Sequence, residues 1–170
     1  MQHFISLDNL NFSGCWLTIG TFDGVHLGHK YLIGKLSSGA HASGLPAVVL
    51  TFFPHPAVIL GKRTYANFLT TPEERAELLG NCGADVVITF PFSKIVAEMS
   101  AQEFMNLLCS HLAPKHLIIG SNFALGHDRK GDLQTLTEIG RDLGYSVEGI
   151  PPVELDGSIV SSSRIRSALF

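Results

Sequence analysis

Four runs of this chain are rich in Val, Ile, Leu and Phe and continuous rather than alternating: CWLTIG from Cys15, AVVLTFF from Ala47, DVVITF from Asp85 and HLIIG from His116. A strand with one wet face alternates polar and apolar residues. A strand covered on both faces does not, so these runs predict buried strands of a parallel sheet. YSVEGI from Tyr145 is a weaker fifth run. Between the runs the apolar spacing changes to that of a helix. Phe104, Leu107, Leu108 and Leu112 stand at i, i+3, i+4 and i+8, and Leu133, Leu136 and Leu143 form a second stripe. The Phe104 stripe reads as core packing, not as a cofactor box. Two helix starts carry capping boxes: Thr71 with Glu74, behind which Pro72 takes the first helical position, and Ser100 with Glu103. Strands alternating with helices predict an α/β fold, an open parallel sheet of about five strands with helices on both faces.

Pro54 to Thr70 has no strong period and holds two prolines, which predicts a long loop or flap of the type that often carries function. Asp156-Gly157, following Pro151 and Pro152, predicts a hairpin turn, and a last short helix is expected to start among the serines at 161 to 163. No composition shift marks a boundary, so residues 1–170 are expected to form one domain. A hydrophobic share of 45% with 16% charged residues is enough to build its core.

Charge narrows the ligands. A net charge of −3 and a pI near 6.2 exclude the broad basic surface that non-specific nucleic-acid or membrane binding requires, so a polyanionic ligand would have to be small and locally gripped. Cys15, Cys82 and Cys109 are odd in number and far apart, which favours free thiols in a reducing compartment and hence a cytoplasmic protein. The start of the chain lacks a leader pattern, and its apolar runs fall short of the roughly 18 residues a membrane span needs.

The candidate chemistry lies in GTFDGVHLGHK, Gly20 to Lys30, directly after the first apolar run. In an open parallel sheet, ligands bind at the carboxyl ends of the strands, where helix N-termini also offer N–H groups to anions. A helix beginning near His26 puts His26 and His29 on one face of its first turn, and Gly24 and Gly28 let a ligand approach the backbone. The chain has no GxxxxGK[ST] or GxGxxG, so a phosphate here would be held by imidazoles. Two other readings compete. The histidines could be solvated residues after a turn, or they could join His55 as zinc ligands, although no carboxylate or cysteine stands at convincing ligand spacing. No metal site built from protein side chains is therefore expected.

Extended to GTFDGVHLGH, the stretch resembles the GxFDGxHxGH signature of bacterial FAD synthetases, members of the HxGH nucleotidyltransferase superfamily. Four further segments are similar, in order, to the FMN adenylyltransferase module of that family: TFFPHP from Thr51, TTPEER from Thr70, GSNFALGHDRKGD from Gly120 and SSSRIR from Ser161. The resemblance spans nearly the whole chain. It implies a Rossmann-like nucleotidyltransferase fold that joins the phosphate of FMN to the adenylyl group of ATP, releasing pyrophosphate and forming FAD with magnesium present. The chain departs from the family pattern at Asn122, where Asp or Glu is usual, and at Leu125, where a second aromatic is usual. It also departs at Lys30 in place of Gln and at Ser163 in place of Thr. Relatives commonly continue into a riboflavin kinase domain with glycine-rich and PTAN-type motifs, which these residues do not contain. The expectation is thus an FMN adenylyltransferase domain, with a C-terminal riboflavin kinase domain as its family partner.

The resemblance assigns roles residue by residue. His26, His29, Ser162, Ser163 and Arg166 are the expected catalytic set. Gly20, Phe22, Asp23, Gly24, Gly28 and Arg164 join His26, His29, Ser162 and Ser163 in the ATP site. Pro54, His55, Pro56, Asn122 and Arg129 are expected to meet FMN, with Lys130 beside Arg129 on a phosphate-facing loop. Phe123 is expected in the core, and Phe68 either covers the flavin ring or simply packs. Attack by the FMN phosphate on the α-phosphorus needs no protein nucleophile, so the reaction is expected to be a direct in-line transfer without a covalent intermediate, the magnesium arriving on the triphosphate. The rivals are another HxGH transferase acting on pantetheine phosphate, nicotinamide mononucleotide or glycerol phosphate, and a flavin- or nucleotide-binding module without catalysis. The PHP turn and the GSNF segment argue against the first.

Overall fold

The structure is a computed structural model that describes residues 1–64 and 67–170; Tyr65 and Ala66, within the predicted flap, lie outside it. Six strands form one parallel sheet: β1 (Gln2–Phe4), β2 (Cys15–Ile19), β3 (Ala47–Phe53), β4 (Val86–Pro91), β5 (Pro114–Gly120) and β6 (Ser146–Ile150). Their spatial order is β1-β4-β3-β2-β5-β6. The chain therefore winds outward from β2 through β3 and β4, then crosses back to lay β5 on the other side of β2. That reversal leaves a crevice at the carboxyl end of β2, where open α/β sheets hold their ligands.

The helices are α1 (Leu27–Ala42), α2 (Pro56–Ile59), α3 (Pro72–Asn81), α4 (Lys94–Glu98), α5 (Ala101–Leu112), α6 (Leu133–Leu143) and α7 (Ser162–Leu169). Strand β3 shows how they cover both faces. Its Val48, Leu50 and Phe52 join the core layer of α5 and α6, whereas Ala47 and Val49 join that of α1 and α3. Phe104, Leu108 and Leu112 are buried in the first layer, as the helical stripe predicts. Both capping boxes form, on Thr71 with Glu74 and on Ser100 with Glu103. The predicted hairpin is β7 (Glu154–Leu155) with β8 (Ser158–Ile159), its two turn residues Asp156 and Gly157 both at positive φ, and α7 follows with Ser161 as its N-cap.

Two features differ from the expected pattern. The sheet has six strands rather than about five, because β1 is a three-residue edge strand paired only with β4 and too exposed to need an apolar run. The flap also contains the short helix α2, whose four residues are too few to show a helical period. Cys15 is buried, Cys82 and Cys109 are half-buried, and all three are free thiols. Among the described residues no helix is long and apolar enough to cross a membrane.

Candidate active site

The chain leaves β2 through a contorted loop. Phe22, Gly24 and Val25 all take positive φ, at 48°, 80° and 41°. That conformation is costly for an aromatic and more so for a β-branched residue, so something must hold it. Phe22 and Val25 are both buried in the α1 and α3 core layer, and their packing supplies that hold. At Gly24, where φ is 80°, a Cβ would sit 2.6 Å from Leu69 Cδ1, so any other residue would be strained and would have to push Leu69 aside.

The loop delivers two histidines to the start of α1. His26 is the N-cap, with extended backbone, so the helix begins one residue beyond it. Its Nδ1 accepts the Gly28 N–H at 3.2 Å, which puts the proton of the neutral ring on Nε2. The ring of His29 stacks on that of His26, centroids 3.6 Å apart, and meets Phe22 edge-on at 5.1 Å. Burial pushes both imidazoles below their ordinary range. His29 falls to about 3, with His26 and Arg75 adding to the effect of burial. At neutral pH the pair is therefore uncharged and offers N–H donors rather than positive charge. Among the described residues, His29 Nδ1 is buried with no hydrogen-bond partner, an unsatisfied polar atom beside the N–H groups that open α1.

Asp23 cross-braces the site from beneath. It is fully buried, and its Oδ1 accepts from Leu69 N–H at 3.0 Å and from both the N–H and the hydroxyl of Thr70 at 3.2 Å. Its Oδ2 takes the Arg166 guanidinium at 2.6 Å, and its backbone oxygen takes the Ser162 hydroxyl at 2.7 Å. One residue thus ties the loop after β2 to the end of the flap and to α7. Arg75, buried on α3, lies 3.8 Å from Oδ1 and donates to the Thr70 hydroxyl and carbonyl, the Thr51 hydroxyl and the Phe52 carbonyl.

On the open side of α7, Arg63 from the flap and Arg166 from the helix both donate to the Ser163 hydroxyl at 3.3 Å. They line a cavity of about 280 Å3 with Asn67, Ser167 and Phe170. Two cations sharing one neutral acceptor keep most of their N–H groups unspent, which suits an anion. Arg164 instead donates to the Leu155 and Ser158 carbonyls and so pins the hairpin to α7.

At the end of β3, Pro54 follows a cis peptide bond, Pro56 opens α2, and His55 caps it by accepting the Ala57 N–H at 3.0 Å. The His55 ring lies face to face with Phe68 at 5.1 Å, and burial first, then Arg63, pushes it down to about 4. The loop after β5 shares the same edge of the sheet. There Arg129 donates to the Asn122 carbonyl, Phe123 packs against the α5 and α6 core, and Lys130 is exposed. Leu125 is buried and pairs with Gly131 in an isolated bridge, so its side chain serves packing.

The structure therefore gathers the 20–29 loop, the start of α7, the flap and the PHP turn at one edge. Gly20, Gly28 and Phe22 shape that loop. Arg63 and Arg75 were not singled out in the sequence. Arg75 had a usable signal: it stands four residues before Leu79 on the helix that Thr71 caps, so it shares that apolar face, an unusual place for an arginine. Among the described residues no three His, Cys, Asp or Glu side chains cluster to hold a metal, so His26, His29 and His55 do not form a zinc site. Both oxygens of Asp23 already accept from protein donors, three on Oδ1 and Arg166 on Oδ2. Among the described residues no side-chain cluster fits a resident magnesium ion.

The FAD synthetase family model matches residues 8–164. A bifunctional riboflavin kinase/FMN adenylyltransferase of Pseudomonas fluorescens is 37% identical over 172 residues, 99% of this chain and 55% of its own length. The protein of the same description from Escherichia coli K12 is 35% identical over 157 residues, 92% and 50% respectively. The chain thus spans about half the length of the curated relatives it matches. A Streptococcus pneumoniae crystal structure described as a macrolide-efflux protein superposes with a TM-score of 0.83 at 27% identity, over 98% of this chain and 54% of that one. The family match runs from ahead of β2 into the first turn of α7, taking in every segment that meets at the crevice, and on that ground the chain belongs to the FAD synthetase family.

Proposed function

We propose that residues 1–170 form an FMN adenylyltransferase unit that transfers AMP from ATP to FMN, giving FAD and pyrophosphate. The observation that carries this reading is the stacked, uncharged His26–His29 pair at the N-terminus of α1, facing the topological crevice. Adenylyl transfer builds negative charge on the nonbridging oxygens of the α-phosphate and on the leaving pyrophosphate. Donors fixed in advance stabilise that charge without reorganising. His26 Nε2–H, an N–H of His29 and the first backbone N–H groups of α1 are such donors. Arg63, Arg166 and the Ser163 hydroxyl receive the pyrophosphate end, and Ser162 positions α7 through its bond to Asp23. Arg164 acts on the ATP site indirectly, by fixing the hairpin. FMN lies along Pro54, His55 and Pro56, with Phe68 over His55, and Asn122 and Arg129 approach from the loop after β5.

The FMN phosphate oxygen attacks the α-phosphorus in line, the bond to the pyrophosphate oxygen breaks, and no protein side chain is acylated or adenylylated. Magnesium enters as part of the ATP substrate. The adenylyltransferase half of the relatives' description is assigned to these residues, and the riboflavin kinase half to the length the chain does not span. The free thiols fit a reducing, cytoplasmic setting. Incubation with FMN, MgATP and pyrophosphatase, followed by chromatography, should yield FAD. If FMN fluorescence is quenched by binding yet no FAD forms, the chain is a flavin-binding module and the enzyme reading fails.

A further inference from the structure

Asp23 is one carboxylate facing two arginines, and the two are held very differently. Arg75 is immobile. Its side chain is 3% exposed and its donors are spent on Thr51, Phe52 and Thr70, which belong to the end of β3 and the end of the flap. Arg166 is tied down by far less. Its side chain is 11% exposed, it borders the cavity beside Ser163, and its ion pair to Oδ2 is short at 2.6 Å. The two oxygens of Asp23 are also unequal. Oδ1 is saturated by Leu69 and Thr70, whereas Arg166 is the one partner of Oδ2 among the described residues.

This raises a problem for phosphate binding. A lone buried ion pair between Asp23 and Arg166 would lock the arginine in place, because moving it to another anion would strand a buried carboxylate. Arg75 removes that obstacle. It supplies a second positive charge that never leaves, so the carboxylate stays neutralised when Arg166 goes.

We propose that Arg75 is a positioning residue whose fixed charge on Asp23 releases Arg166 to the triphosphate of ATP. The inference rests on the adenylyltransferase reading above. Asp23 and Arg75 are the permanent half of a charge relay between proteins and ligand, and Arg166 is its mobile half. In the free protein Arg166 is parked on Oδ2. When the triphosphate enters the cavity, the guanidinium turns to it while the flap and the end of β3 stay braced by Arg75. The same brace joins the PHP turn to the ATP side, so both substrates meet a single rigid frame.

The test is MgATP binding by calorimetry, with thermal melts to verify folding. Arg75→Gln removes the fixed charge and traps Arg166 on Asp23, so affinity for ATP should fall about tenfold, the scale of a charge-assisted hydrogen bond. Adding Asp23→Asn to that variant removes the trap. The double variant should recover to within about threefold of the unaltered protein, a positive coupling that a merely structural Arg75 would not give. Arg75→Lys keeps the charge and should lose less than about threefold, well under the effect of Arg75→Gln. If Arg75→Gln does not fold, Asp23→Asn alone decides: its Oδ1 still accepts from Leu69 and Thr70, and freeing Arg166 should tighten ATP binding. A double variant as weak as Arg75→Gln, a lysine variant equally weak, or a weaker Asp23→Asn overturns the inference. Failure of the unaltered protein to bind ATP or form FAD would instead sink the adenylyltransferase reading, so the two failures are distinct.

Discussion

Lowering the pH from 7 to 5 protonates histidines in the unfolded chain that stay neutral in the fold. His29 is held near 3 and His55 near 4, against an ordinary 6.5. Both folded values lie below the unfolded one, so the unfolded chain binds more protons and stability falls as the pH drops below 6.5. For His29 the loss between pH 7 and pH 5 is about 2 kcal/mol, reached from the proton affinity of the unfolded imidazole alone. His55 is less buried and better screened by solvent, so it adds less, and the two together take a sizeable part of the roughly 5–15 kcal/mol that a domain has. His26 shifts in the same direction and adds to the loss. The helix-capping carboxylates do not confuse the measurement. Glu74, Glu103 and Asp132 are lowered from 4.5, 4.5 and 3.8, so what they contribute is lost only as the pH falls below those values. Urea melts at pH 7 and pH 5, on the unaltered protein and on His29→Asn, separate the contributions. The variant has one titrating ring fewer and should lose about 2 kcal/mol less over that interval, whatever its stability at pH 7. Equal acid losses in the two proteins would show that His29 is not held neutral by its burial, and the picture of an uncharged donor pair would be wrong.

Two further substitutions probe the site directly. His29→Ala removes a donor needed when charge develops on the α-phosphate, so kcat should drop by about 10²–10³ while FMN affinity, measured by flavin quenching, changes less than about threefold. Equal losses in kcat and FMN affinity would place His29 in flavin binding instead. Gly24→Ala puts a methyl group against Leu69 on a backbone at φ 80°, so the melting midpoint should fall by the equivalent of ~2 kcal/mol or more. An unchanged midpoint would mean that the flap end does not pack on this loop.

The sheet was legible because burial on both faces leaves a plain mark. AVVLTFF is apolar but for Thr51, since β3 is covered by α1 and α3 on one side and by α5 and α6 on the other. The caps on Thr71 and Ser100 were legible because their partners lie three residues away. The edge strand β1 carries no such mark, since Gln2 and His3 are exposed and Phe4 alone of its three residues packs against the core. In the site, the His-x-x-His spacing is local and readable. The pairing of Asp23 with Arg166 spans 143 positions, and with Thr70 it spans 47, so neither leaves a periodic trace. The Asn122 and Leu125 departures acquire a partial physical account. Leu125 fills core space next to the Gly131 bridge, while Asn122 offers its backbone carbonyl, which any residue possesses, to Arg129.

These contacts also change what the Phe22-Asp23-Gly24 part of the motif is for. The family resemblance places Asp23 in the ATP site, and there its carboxylate is buried and bonded to Leu69, Thr70 and Arg166. Those bonds set the positions of groups that can reach a ligand. Phe22 gives His29 an edge contact, Gly24 lets Leu69 close over the loop, and Asp23 fixes Thr70, Ser162 and Arg166 at once. A histidine pair at a helix start is easy to obtain by chance and needs such a frame to be useful. Holding two donors, a hydroxyl-bearing helix start and a parked arginine at one edge of a sheet requires a residue in contact with all three segments, and a small buried carboxylate after a left-handed turn meets that need.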